Sequence, residues 1–69
     1  MNKIQKLIVK KMADGYNQQE VSNYLKKREI KPNSLSTIEK ELKKLKKQFG
    51  AHTIIHLFMI LVKEGRLKV

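Results

Sequence analysis

Ser34-Leu-Ser-Thr-Ile-Glu-Lys-Glu-Leu-Lys-Lys-Leu-Lys-Lys-Gln-Phe49 is the stretch that decides the fold of this chain. Its apolar residues Ile38, Leu42, Leu45 and Phe49 recur at a spacing of three and four, and five lysines fall between them. On a helix, this spacing predicts one face that packs on a core and an opposite face that presents cations to solvent or to phosphates.

Three further helical segments surround this stretch. The first is predicted from about Lys3 to Asp14, with Asn2 as N-cap and with Ile4, Leu7, Ile8 and Met12 on one apolar stripe. Asn17 is the predicted N-cap of the second, and Glu20, three residues later, completes a capping box. The last covers about residues 53–64. Gly15, Gly50 and Gly65 are the predicted stops for the first, third and fourth helices.

The third helix is predicted to open at Ser36, which forms a capping box with Glu39. Pro32 marks the preceding loop, because it lacks a backbone donor and favours an extended residue before it. No segment alternates clearly between apolar and polar residues, as a strand would. The expected fold class is therefore all-α, with four helices in a single domain that covers residues 1–69.

Composition restricts the partners of such a domain. The chain has 69 residues and no cysteine, so stability must come from helix packing or from association with another chain. A formal charge of +10 favours a polyanionic partner. The longest apolar run, residues 54–62, is shorter than the roughly 20 residues that span a bilayer. Nucleic acid and an acidic membrane are both candidates on charge alone, and the short apolar run makes the membrane the weaker one. We expect a cytoplasmic, nucleoid-associated protein that has no membrane partner and needs no cofactor.

The spacing of residues across all four helices resembles that of the LuxR-type (GerE-like) helix-turn-helix domain. The matching positions are Gly15, Glu20-Val21, Leu25, Ser34-x-x-Thr37-Ile38, Leu42, Leu45, Phe49-Gly50 and Gly65-x-Leu67. The resemblance covers nearly the whole chain and implies a stand-alone DNA-binding module without a receiver or ligand domain. It also implies that the third helix enters the major groove.

Carried over by position, the resemblance implies that Lys40 and Lys43 face the bases, which favours a site containing guanine. Thr37 is expected near a phosphate, and Lys44 and Lys47 beside the groove. Basic residues that precede this helix would add contacts to the DNA backbone: Lys26, Lys27, Arg28 and Lys31.

Three features depart from the family pattern, and one of them is at the start of the fourth helix, where Thr53-Ile54 stands in place of an Asn-Arg pair that is often found in the family. The connection over residues 26–33 is longer than the family's tight turn. Glu39 and Glu41 occupy positions where family members commonly carry Lys and His. Glu39 either caps the helix or accepts a hydrogen bond from a cytosine. Ion pairs of Glu39 with Lys43 and of Glu41 with Lys44 offer an alternative in which the lysines form only a solvated surface.

The fourth helix is apolar on nearly all sides. Family register turns one set of side chains inward: Ile54, Leu57, Phe58 and Leu61. It leaves an outer stripe that we expect to form a homodimer interface, consisting of Ile55, Met59 and Val62 with Ile60 alongside.

Other classes of function are less favoured. His52 and His56 could share a helix face as metal ligands, but no further ligand completes a site, so capping or rim roles are expected. No catalytic motif is present in the sequence, and we expect no enzyme activity. The main alternative is a protein-interaction module, a helix-turn-helix relic that binds another regulator or RNA polymerase. Binding of structured RNA is a third possibility, without aromatic support.

Overall fold

The structure, a computed structural model, describes residues 1–68. It contains four helices, α1 (Lys3–Ala13), α2 (Gln18–Lys27), α3 (Leu35–Phe49) and α4 (Ile54–Lys63). No strand occurs in this described part, so the predicted all-α four-helix fold is confirmed. The longest helix, α3, packs against each of the other three, and α1 also packs against α2. Among residues 1–68, no helix combines the length and the apolar content needed to cross a bilayer.

The first two helices begin with complete capping boxes. The Asn2 side chain accepts from the Gln5 backbone N–H, while the Gln5 side chain accepts from the Asn2 N–H. Asn17 and Glu20 make the same reciprocal pair at the start of α2. Each box satisfies two backbone donors that the first turn of a helix leaves unpaired. Both predicted N-caps are thus confirmed.

The predicted start of α3 is wrong. Ser34, with extended backbone, is the N-cap, and its hydroxyl accepts from the N–H of Thr37 at 3.1 Å. Ser36 already lies inside the first turn, so it cannot form a capping box with Glu39. The physical reason is the conformation of the preceding loop, because the backbone that leaves it is already helical at residue 35.

That loop is fastened to α2 by side-chain hydrogen bonds. The buried Ser22 hydroxyl donates to the Asn33 carbonyl at 2.7 Å, and the Asn33 side chain donates to the Ile30 carbonyl at 3.0 Å. Two of the bonded groups are backbone carbonyls, which therefore remain satisfied although the segment is irregular. The loop holds a fixed position at the N-terminal end of α3.

Helix α2 ends in a turn that normally requires glycine. Glu29 has φ 56°, and the next N–H, of Ile30, donates back to the Leu25 carbonyl at 2.9 Å. The same closure ends α3 at Gly50, where φ is 67°. Positive φ strains any residue with a Cβ, so Glu29 carries a cost that Gly50 avoids. Because no glycine marks this end, the turn was not predictable from the sequence.

The core forms where the other three helices meet α3. Its buried apolar members are Ile8, Val9, Val21, Leu25, Ile38, Leu42, Leu45, Leu57, Leu61 and Leu67. The buried face of α1 differs from the predicted stripe, since Gln5 and Val9 are buried whereas Ile4, Leu7 and Met12 are only half-buried. The Gln5 side chain bonds to α3, and Val9 lines a cleft together with the C-terminal segment. These two contacts set a rotation of α1 about its own axis that differs from the predicted one.

Candidate nucleic-acid interface

The lysines of α3 lie on one side of the helix. Ile38, Leu42 and Leu45 are 0–2% exposed and fix the buried side. Each residue turns by about 100° along a helix, which directs four lysines away from the core. All four are exposed, and we call them the lysine ridge: Lys40, Lys43, Lys44 and Lys47. The predicted DNA-contacting lysines are thus together and open to solvent.

Most of the lysine ridge has no acidic partner. Within residues 1–68, no carboxylate lies within 4.0 Å of Lys40, Lys43 or Lys47, so the possible pair of Glu39 with Lys43 is not formed. An unneutralised row of ammonium groups produces a local positive potential that attracts polyanions. This side of α3 therefore remains cationic despite the two glutamates in the helix.

Glu41 lies between α1 and the edge of the lysine ridge. Its side chain is only 14% exposed, accepts from the Gln5 amide at 2.9 Å and pairs with Lys44 at 3.3 Å. The predicted pair with Lys44 is confirmed. Since both carboxylate oxygens are engaged within the domain, Glu41 joins α1 to α3. Glu39 is exposed and lines a shallow cleft beside the starts of α2 and α4.

Thr37 lies at the N-terminal end of α3 and is half-buried. Its hydroxyl lies 2.8 Å from that of Ser34, in addition to the capping bond made by its N–H. The N-terminal end of a helix carries partial positive charge and attracts anions. Thr37 is thus next to a position that suits a phosphate, although its hydroxyl already has a partner.

The basic residues before α3 are also exposed: Lys26, Lys27, Arg28 and Lys31. They lie at the end of α2 and in the loop between α2 and α3, which we call the fastened loop. The Arg28 guanidinium lies over the ring of Tyr24, 5.2 Å from its centroid. The loop does not bury the lysine ridge, because every ridge lysine remains exposed.

The outward side of α4 is only partly open. Ile55 and Met59 are 77% and 51% exposed, as the sequence predicted. Val62 and Ile60 are half-buried, and Val62 packs against the core. The inward residues agree with expectation at Leu57 and Leu61, which are fully buried, and in part at Ile54 and Phe58, which are half-buried and pack against the core. We call Ile55 and Met59 the α4 apolar strip.

The two histidines complete the start of α4. The Thr53 hydroxyl accepts from the His56 N–H at 3.0 Å, and the His56 Nδ1 accepts from the His52 N–H at 3.0 Å. The expected capping role is confirmed for the His56 side chain, whereas His52 contributes only its backbone N–H to this bond. Within residues 1–68, no three His, Cys, Asp or Glu side chains cluster in a way that could hold a metal ion.

Two connections were not predictable from local sequence. The Gln5–Glu41 bond joins residues 36 positions apart, and the Ser22–Asn33 bond joins residues 11 apart. Neither leaves a periodic signal, because glutamine and serine at such positions are also common on solvated surfaces. These bonds set the orientation of α3 relative to α1 and α2.

No protein-family model matches this chain, and no curated protein or solved structure gives a significant match. The side chains themselves therefore indicate what the surface can do. The lysine ridge combines four exposed cations, three of which have no carboxylate within 4.0 Å among residues 1–68, with a helix that three other helices hold in place. The α4 apolar strip adds a second exposed surface of opposite chemistry.

Proposed function

We propose that this chain is a small DNA-binding transcriptional regulator of the LuxR-like helix-turn-helix type, with α3 in the major groove of duplex DNA. The observation that carries the proposal is the lysine ridge. An α-helix fits the width of the major groove, and lysine donates to O6 and N7 of guanine as well as to phosphates. Lys40 and Lys43 contact bases, and Lys44 and Lys47 contact the flanking backbone.

The packing of α3 supports this proposal. A helix that inserts into a groove must keep its orientation while one side is free, and α3 is held by α1, α2 and α4 on its other side. Lys31 lies in the loop that precedes α3 and is exposed, so it is available to a phosphate beside the one that α3 contacts. Cations at both places add electrostatic affinity that does not depend on base sequence.

The size of the domain supports a homodimer on DNA. Its longest dimension is 31 Å, whereas the half-sites of helix-turn-helix dimers are roughly 34–36 Å apart. One copy therefore covers one half-site. The α4 apolar strip, with Ile60 and Val62 at its edges, would join two copies about a two-fold axis.

A protein-interaction module is the second candidate. The specific observation in its favour is Glu41, which replaces a family base-contacting residue and is held by α1. In this case the α4 apolar strip binds another regulator or RNA polymerase, and α3 reads no sequence. Salt dependence distinguishes the two: binding through about six phosphates weakens by roughly 10³-fold or more between 50 and 200 mM salt, whereas an apolar interface responds little.

The test of base recognition begins with selection of bound duplexes from a random pool, followed by affinity measurements on the selected site. We expect a palindromic consensus. Lys40→Ala and Lys43→Ala should each cost about 1–3 kcal/mol at that site and much less on random duplex. Lys63→Ala, an equal change of charge on α4, is the control. Equal affinity of the wild-type protein for selected and random duplex would contradict base recognition.

A further inference from the structure

A second cationic surface lies between α1 and α2, away from α3. It is an open groove, which we call the α1–α2 groove, and no residue of α3 lines it. Its lining consists of Lys3, Lys6, Leu7, Lys10, Lys11 and Tyr24. Four of the six are lysines and none is acidic, so the groove is far more cationic than the chain as a whole.

The cations of this groove are poorly neutralised. Within residues 1–68, no carboxylate lies within 4.0 Å of Lys3, Lys6 or Lys11. Lys10 approaches Asp14 only at 3.8 Å, with both side chains well exposed. An exposed pair at that distance contributes little. The groove thus holds several positive charges close together, and a bound anion would reduce the repulsion between them.

The Tyr24 ring organises two of the neighbouring cations. The Lys11 ammonium lies 4.3 Å from the ring centroid and the Arg28 guanidinium 5.2 Å from it. Tyr16 packs edge-on against the same ring, with centroids 6.1 Å apart. These contacts hold Tyr24 in place and keep two positive groups beside it.

The floor of the groove is apolar. Leu7 and Tyr24 are half-buried and pack against the core, yet each still lines the open groove. Phosphates of a nucleic acid backbone could use the lysines but would gain nothing from Leu7. An amphipathic helix with acidic residues beside an apolar stripe would use both, as helix-in-groove complexes do.

We propose that the α1–α2 groove is a docking site for an acidic amphipathic segment of a partner protein. Its apolar residues cover Leu7 and the Tyr24 ring, and its carboxylates pair with the surrounding lysines and Arg28. This site is separate from the lysine ridge and from the α4 apolar strip. The domain therefore has room for a partner in this groove while α3 contacts DNA and α4 joins two copies, as proposed above.

The test uses a fluorescent peptide of about 15 residues with Glu at most positions and Leu or Phe at i, i+3, i+4 and i+7. A peptide of the same composition in scrambled order is the control for the apolar stripe. Binding is measured by anisotropy with the full chain at about 0.15 M salt, where charges more than about 8 Å apart are largely screened. We expect the striped peptide to bind at least about fivefold more tightly than the scrambled one, because only a stripe covers the floor.

Two protein variants with equal charge changes locate the site. Lys3→Glu combined with Lys6→Glu should weaken binding of the striped peptide by about tenfold. Lys43→Glu combined with Lys47→Glu, on the lysine ridge, should change it less than about twofold and should instead abolish duplex binding. Lys3 opens α1, where an acidic residue favours the helix, and Lys6 is exposed, so the first variant should fold.

Chemical shifts of Leu7 and Tyr24 in the wild-type protein give a measurement that needs no variant, and both should move on addition of the striped peptide. Absence of binding, equal binding of striped and scrambled peptides, or equal weakening by both variants would overturn the proposal. So would loss of duplex binding in the Lys3 and Lys6 variant with peptide binding unchanged, since the groove would then be a nucleic-acid surface. Failure of the DNA proposal would leave the peptide result unaffected.

Discussion

At the scale of residues, the start of α3 depends on which of two serines is extended. Ser34 and Ser36 both have side chains suited to an N-cap, and each is followed three residues later by a polar residue. The Ser22–Asn33 bond fixes the loop immediately before Ser34. Ser34 therefore takes the capping position, and the residues after it are already helical.

Replacement of these two serines should have different effects. Ser34→Ala removes the acceptor for the Thr37 N–H and should lower the free energy of unfolding by about 0.5–2 kcal/mol. Ser36→Ala is the matched control. It should be neutral or slightly stabilising, because Ser36 is exposed within the first turn and alanine favours helix. Urea denaturation of both variants measures the difference. A larger loss of unfolding free energy for Ser36→Ala would show that Ser36, the residue predicted from the sequence, is the N-cap after all.

At the scale of elements, α3 is both the centre of the packing and the proposed DNA-contacting helix. Its buried side holds Ile38, Leu42 and Leu45, and its opposite side is free. The Gln5–Glu41 bond connects it to α1 near the edge between these sides. A largely buried carboxylate needs such a donor, because burial without one is costly.

Substitutions that exchange the amide and the carboxylate between positions 5 and 41 test whether this bond connects α1 to α3. Gln5→Glu keeps an acceptor for the Asn2 N–H but brings two carboxylates together, and should cost about 1–3 kcal/mol of unfolding free energy. Glu41→Gln alone should cost less than about 1 kcal/mol, since an acceptor remains and only the exposed Lys44 pair is lost. The double variant should recover most of the loss, because an amide again faces a carboxylate. A double-mutant cycle with purely additive effects would show that the pair does not couple α1 to α3.

At the scale of the whole molecule, the net charge and the exposed apolar surface have opposite effects on the association of two copies. A formal charge of +10 on 69 residues disfavours association of copies in solution, whereas the α4 apolar strip favours it. Duplex DNA would neutralise much of the charge and align two copies. Dimerisation and DNA binding should therefore strengthen each other.

Met59→Asp should convert the proposed homodimer into a monomer, as measured by sedimentation velocity. The reason is that a carboxylate in the centre of an apolar interface loses its hydration without a partner. Asn23→Asp is the control, since it makes the same change in charge at an exposed position on α2. A dimer that persists after Met59→Asp would place the interface elsewhere on the molecule.

The sequence by itself determined the four helices, the N-caps Asn2 and Asn17, the capping box of Asn17 with Glu20 and the exposure of the lysine ridge. These features depend on residues three or four positions apart, and such residues meet on any helix regardless of what surrounds it. The exposure of Ile55 and Met59 was predictable for a similar reason, because a helix that is apolar on all sides cannot be covered completely in a domain this small.

Only the tertiary structure decided the rest. It turned Glu41 towards Gln5, rotated α1 so that Val9 is buried, moved the cap of α3 to Ser34 and brought Tyr24 beside the lysines of α1. Each of these depends on residues far apart in the chain. Their contacts form only when the helices pack, and the energy of packing, not local preference, selects among side-chain partners that are equivalent in the sequence.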